Sequence, residues 1–149
     1  MKKIILPTDG SENAVRAGRF AAELALEEGA EVLVVSVAEP AAYPGFEDTA
    51  VTAAIRDFAS SMADQEAGRL RAAGVPVETL VVESEQAYDG ILQAAAECNA
   101  DMIVMGTHGR GALARALIGS VADKIVRHAS IPVLLVPSTT HTDTQGESA

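Results

Sequence analysis

Gly106, Gly109, Gly119 and Ser120 are the residues whose type and spacing most clearly suggest chemistry. They punctuate a stretch running from Gly106-Thr107-His108-Gly109-Arg110 to Leu117-Ile118-Gly119-Ser120. The stretch follows Met102-Ile103-Val104-Met105, which reads as a buried strand, and leads into Val121 to Arg127, which reads as a helix. Glycines between a strand end and a helix start let backbone N–H groups approach an anion closely. The helix N-terminus adds unpaired donors and a partial positive charge. The alternative is that these glycines only shape a loop. Ser120 is expected as the N-cap, with Asp123 three residues on in an approximate capping box. A second candidate is Pro7-Thr8-Asp9-Gly10-Ser11. Asp9 can accept hydrogen bonds from a ribose or an amino group, help hold a metal, or serve only as a turn residue beside Gly10.

Other chemistries find little support. Gly-x4-Gly-Lys-[Ser/Thr] does not occur, so there is no P-loop. Gly109-Arg110-Gly111-Ala112-Leu113-Ala114 imitates a dinucleotide fingerprint, but it follows the fourth strand rather than the first. His108, His128 and His141 share no ligand spacing; His108 either touches a phosphate or faces solvent in its loop. Ser120 has no evident base partner, and Gly119-Ser120-Val121 is not a nucleophile elbow. Cys98, the single cysteine, shares a helical face with Ile91 and Ala95 and is read as a packing residue. No catalytic residue and no metal site is assigned.

The elements that must position these loops follow from periodicity. Lys3 to Pro7 reads as a strand, followed by a helix capped by Ser11, with Ala14, Ala17, Ala21 and Leu24 on one face and Gly29 at its end. Val32 to Val37 is a second strand, apolar at nearly every position, as expected where both faces of a parallel sheet are covered. Ala38 to Asp48 is a loop. A long helix is expected from Thr49 to Ala73, with Ile55, Phe58, Met62 and Leu70 as its buried stripe. Val77 to Val82 is the third strand, Tyr88 to Glu97 the third helix, Asp101 to Met105 the fourth strand, and Ile131 to Pro137 the fifth. The alternation predicts one α/β domain over residues 1–137, an open parallel sheet with helices on both faces, and a disordered polar tail over 138–149. Val133 to Val136 would be sticky on an open edge, so either a second copy pairs there about a two-fold axis or a helix or loop covers it.

Composition narrows the function classes. The 149 residues carry a formal net charge of -10, which argues against nonspecific binding to nucleic acid or an anionic membrane. Residues 23–48 hold Glu23, Glu27, Glu28, Glu31, Glu39, Glu47 and Asp48 without any Lys or Arg. Residues 106–128 reverse the balance, with Arg110, Arg115, Lys124 and Arg127 against Asp123 alone. No apolar run approaches the roughly 20 residues needed to span a bilayer, and the apolar part of the N-terminus is too short for a signal peptide. A soluble, cytoplasmic protein is expected.

Gly106-x2-Gly109-x9-Gly119-Ser120 resembles the nucleotide motif of the universal stress protein family. Pro7 to Ser11 and Pro132 to Val136 resemble that family's opening and closing segments, so the likeness covers about residues 2 to 137. It implies a Rossmann-like five-stranded sheet in the order 3-2-1-4-5, with strands one and four side by side where ligands bind. It further implies the branch that binds ATP, with Mg²⁺ or Mn²⁺ as an accompanying ion, and a homodimer through the fifth strand. The site residues implied are Pro7, Thr8, Asp9, Val37, Met105, Gly106, His108, Gly109, Arg110, Gly119, Ser120 and Val121. Among them Asp9 would lie near the ribose, the Val37 backbone near the adenine, and the glycines and Ser120 along ribose and phosphates. One departure stands out: Glu83-Ser84-Glu85-Gln86 replaces a glycine and proline common in the family, in a loop that can border the nucleotide. Three functions stay open: a nucleotide-responsive regulatory module for stress survival, a slow ATP-hydrolysing or adenylyl-transferring enzyme, and a nucleotide-free interaction protein.

Overall fold

Short β-branched runs extend and alanine-rich runs coil in strict alternation along the chain. In the computed structural model, which describes residues 1–40, 49–109 and 117–138, the order is β1 (Lys3–Pro7), α1 (Glu12–Glu28), β2 (Glu31–Ala38), α2 (Thr49–Ala72), β3 (Val77–Glu83), α3 (Ala87–Glu97), β4 (Met102–Gly106), α4 (Ser120–His128) and β5 (Val133–Val136). The strands form one five-stranded parallel sheet in the order β3-β2-β1-β4-β5. Both the architecture and the order agree with the sequence reading.

Alternation along the strands sends side chains to two cores. Ile4, Leu6, Val32, Val34 and Val104 meet α1 and α2 on one face. Ile5, Leu33, Val35, Ile103 and Met105 meet α3 and α4 on the other. Coverage on both faces holds for the central strands and fails at the edges, where Leu80 of β3 is 37% exposed and Leu134 of β5 is 39% exposed. β5 is shorter than expected: Pro132 and Pro137 flank it, and neither can donate to the ladder.

Helix α1 forms as its caps dictate. Ser11 Oγ accepts a hydrogen bond from the Ala14 N–H at 3.2 Å, and Gly29 closes the helix at φ 67°. Its alanines let it lie close to the sheet.

In α2 the expected stripe needs correction. Phe58 is 54% exposed, and the buried positions are Ala59, Ala63, Glu66, Ala67 and Leu70. These recur at helical spacing on one face, and Phe58 is rotated off it by one residue. Glu66 is only 2% exposed and is held by Arg69 Nη1 at 2.7 Å. Gly18 of α1 makes room for it: a Cβ there would overlap the Glu66 carboxylate. Burial pushes the Glu66 carboxyl above its usual range, against the opposing pull of Arg69 and Arg19.

Cys98 caps the C-terminal end of α3 and packs against the α3–α4 core, as expected of a packing residue. Among the described residues no helix is long and apolar enough to cross a membrane. Of the expected loop from Ala38 to Asp48, Ala38 instead ends β2, and residues 41–48, like the polar tail beyond Ser138, lie outside the described residues.

Candidate functional site

Connections leave β1 toward β2 and β3 on one side, and the chain returns through β4 and β5 on the other. The strand order therefore reverses between β1 and β4, and a crevice opens beyond their carboxyl ends. A cavity of about 330 Å³ lies there, within the range of small-molecule sites. Pro7, Thr8, Asp9, Val37, Met105, Gly106, His108, Gly109, Gly119, Ser120 and Val121 all line it. Residues as distant in the chain as Pro7 and Val121 thus share one wall system. Arg110, the remaining candidate, lies outside the described residues.

The loop after β1 is built by its own polar groups. The Thr8 N–H donates to Val35 O at 2.9 Å, which carries the strand pairing one residue past β1. Thr8 Oγ1 accepts from the Gly10 N–H at 3.2 Å, and Asp9 Oδ1 accepts from the Ser11 N–H at 3.0 Å. Gly10 supplies the φ of 77° that this turn requires. Asp9 is therefore both a turn residue and part of the cavity wall.

The loop after β4 is anchored at both ends. The Thr107 N–H donates to Val136 O at 3.1 Å, and the Gly119 N–H donates to Thr107 O at 2.6 Å. Beside them Thr107 Oγ1 and His108 Nδ1 stand 3.0 Å apart.

Close packing explains the glycines. A Cβ at Gly109 would overlap the Asp9 carboxylate, one at Gly106 would sit 3.1 Å from Asn13 O, and one at Gly119 3.0 Å from Thr107 O. The glycines do shape the loop, and Gly109 lets it press against the β1 loop beside the cavity.

The start of α4 corrects the expected cap. Ser120 is the first helical residue, and Gly119 is the N-cap. The bond from Gly119 to Thr107 sets the helix start one residue earlier than the serine suggested. The Asp123 carboxylate takes the Arg127 guanidinium at 3.1 Å instead of reaching back. The N-cap Gly119 offers no side chain to this end, and Ser120, Val121 and Ala122 of the first turn line the cavity.

The acidic segment 83–86 is engaged elsewhere. Glu83 pairs with Arg56 at 2.6 Å, Ser84 Oγ donates to Gln86 O, and Gln86 Oε1 accepts from Lys124 Nζ at 3.2 Å. None of the four lines the cavity. Among the described residues, the acidic side chains that do are Asp9 and Glu39, the latter just beyond β2. Burial raises the Glu39 carboxyl above the usual range.

Glu39, Met62, Ala87 and Ile91 were not singled out from sequence as site residues. Glu39 had a signal, because it follows a strand's carboxyl end as Asp9 does. The other three are brought in only by the packing of α2 and α3. Among the described residues no group of three or more His, Cys, Asp or Glu side chains converges as a metal site.

Comparison with known proteins converges on one family. A family model described as the Universal stress protein family matches residues 1–137. A universal stress protein of Thermus aquaticus is 37% identical over 139 residues, 91% of this chain and 98% of the relative. The structure of the hypothetical protein MJ0577 superposes with a TM-score of 0.84 at 26% identity, covering 93% of this chain and 96% of that one. A universal stress protein from Archaeoglobus fulgidus, solved in complex with dAMP, superposes with a TM-score of 0.60 at 28% identity, covering 91% and 96%.

Proposed function

This chain belongs to the universal stress protein family, and from that premise we propose that it binds an adenine nucleotide, ATP in particular, in the cavity between the β1 and β4 loops. The observation that carries the reading is the uncapped start of α4 beside the close-packed glycine loop. Backbone N–H groups of Ser120 and Val121 would hold phosphate there, where the helix dipole favours negative charge. Asp9 would accept from ribose hydroxyls, and the Val37 backbone would meet the base. The Archaeoglobus fulgidus relative bound to dAMP supports an adenine nucleotide, and the complete Gly106-x2-Gly109-x9-Gly119-Ser120 spacing supports ATP. A divalent ion, where one accompanies the nucleotide, would take most of its ligands from phosphates and water.

The role is regulatory. Nucleotide occupancy favours one arrangement of the loop between Gly106 and Ser120, and a partner reads that arrangement as a population shift. The protein acts as a homodimer in which β5 pairs with its copy. The exposed edge strand with Leu134, and the exposed Phe20 of α1, support that surface. Leu134→Glu is expected to sediment as a monomer where the parent sediments as a dimer, and an unchanged dimer places the interface elsewhere.

The test of binding is to denature freshly purified protein, identify any released nucleotide by chromatography, and titrate emptied protein with ATP by calorimetry. Released or rebound adenine nucleotide is the expected result. Protein that carries none and gives no heat with ATP overturns the reading.

A further inference from the structure

Helices α1 and α2 leave the carboxyl ends of β1 and β2 and run back along one face of the sheet. Among the described residues, α1 contributes Ala14 to the cavity wall and α2 contributes Met62. One turn further along each helix, Gly18 and Glu66 meet. Residues four apart lie one above the other on a helix face, so whatever holds Gly18 and Glu66 apart also sets where Ala14 and Met62 stand.

The buried side chains of the two helices are mostly alanines, among them Ala17 and Ala21 of α1 and Ala59, Ala63 and Ala67 of α2. Glu66 departs from that pattern. It is buried, and its carboxylate occupies the space beside Gly18 where a Cβ would fall, with Leu6 Cδ2 3.6 Å from the same point. A long side chain makes a firm spacer only when its far end is held. Arg69 Nη1 of α2 donates to Glu66 Oε2 at 2.7 Å, and the Arg19 guanidinium of α1 attracts the carboxylate from the other helix. Both helices thus grip one group. Stability does not account for it, because burial costs a carboxyl more than an apolar side chain of the same size. The two arginines oppose that cost without removing it.

We propose that Glu66 is a positioning residue of the ligand cavity: seated on Gly18, it sets the separation of α1 and α2, and through that the place of Met62 on the cavity wall. The inference rests on the nucleotide-binding reading above and adds what fixes the width of the site. Size and a held position act here rather than charge. Glu66→Gln keeps both, since its amide oxygen still accepts from Arg69, and it should bind ligand as the unmodified protein does.

The test is a double-mutant cycle that moves one methylene across the interface. Gly18→Ala adds a carbon where the carboxylate sits, Glu66→Asp draws the carboxylate back by one, and the double variant conserves the filled volume. Isotope labelling of the methionine methyls follows Met62 by NMR, its signal assigned with Met62→Leu, and calorimetry gives the ATP affinity. Each single substitution is expected to move the Met62 signal and to weaken ATP binding about fivefold. The double variant should return both most of the way, and Glu66→Gln should match the unmodified protein. A role in packing alone would lower the melting temperature of the single variants and leave affinity in place, which overturns the proposal. A double variant whose two losses simply add overturns it as well. If the unmodified protein binds no ATP, the nucleotide reading falls, and the Met62 signal across the same cycle still decides whether Glu66 places that side chain.

Discussion

Helices α1 and α4 begin with the same backbone geometry and end up with opposite chemistry. Ser11 and Gly119, their N-caps, both have φ −71° and ψ 162°. Both helices start beside the same cavity. At α1 the serine hydroxyl accepts from the Ala14 N–H, so the helix satisfies part of its own first turn. At α4 the cap has no side chain to accept from the first turn. One helix end is closed by its own cap, and the other is the end we propose for phosphate. The residue at the cap makes the difference, and neighbouring backbone enforces it, because Thr107 O crowds the place a Cβ would take at Gly119.

The strongest way to break the comparison is Gly119→Ser, which gives α4 the cap that α1 has. Its φ lies in the ordinary region, but the new Cβ would stand 3.0 Å from Thr107 O, so the loop must give by a few tenths of an ångström to admit it. The hydroxyl would compete for the donors offered to phosphate. Nucleotide affinity is expected to fall at least about tenfold, or 1.4 kcal/mol, with helix content unchanged by circular dichroism. Undiminished affinity would mean that the α4 start does not hold phosphate.

The converse change, Ser11→Ala, opens the start of α1. Denaturant unfolding should show a loss of about 1 kcal/mol with nucleotide affinity nearly unchanged. A large loss of affinity instead would show that the two helix ends share the ligand.

Away from both ends, Glu66→Gln separates stability from binding. Burial raises the Glu66 carboxyl in the folded protein, so its favourable contribution is complete below its ordinary 4.5 and is lost as pH rises through the raised folded value. Melting curves taken upward from pH 4.5 should therefore move in favour of the glutamine variant. Parallel curves would remove the burial argument.

The smallest effect is expected at the far end of the sheet, where Asp101 Oδ2 accepts from the Lys2 and Lys3 N–H groups at 2.8 and 3.0 Å. Those donors hold its carboxyl below the ordinary 3.8, so the stability it contributes is present above that value and lost as pH falls through the lower folded one. Asp101→Asn should melt slightly below the parent at neutral pH, with the gap closing in acid. A gap independent of pH would assign the effect to something other than the charge.

Local interactions made much of this molecule legible. The span of α1 follows from Ser11 and Gly29 because both caps act within a few residues of themselves. Strand β1 ends at Pro7, as its run of apolar residues predicts, and β2 is buried on both faces as its composition requires. The candidate site was legible for a related reason. Loops after strands of a parallel sheet converge at the switch point, so Asp9 and Gly109 are neighbours once the strand order is known.

Phe58 and Glu66 mark where local pattern fails. Apolar periodicity located a helix, but the chosen face depended on α1, where Gly18 leaves room for the Glu66 carboxylate and small alanines allow close approach. Ser120 lost the cap for the same kind of reason, since a carbonyl thirteen residues earlier in the chain, Thr107 O, captured the Gly119 N–H. The acidic segment 83–86 departs from the family's usual loop, one that can border the nucleotide, yet Glu83 pairs with Arg56, Gln86 with Lys124, and none of the four lines the cavity.

By itself, the sequence determined the alternation of strands and helices, the caps of α1, the two loops able to meet a ligand, and the family. These rest on spacing within a helix turn or a strand, or on the order of whole motifs. Only the tertiary structure decided which helix end stays open, that the glycines seat one loop against the other, and that Glu39 rather than Glu83 or Glu85 lines the cavity. Each of those depends on which distant atom reaches a group first, and that competition is settled only when the sheet and both helix layers are packed.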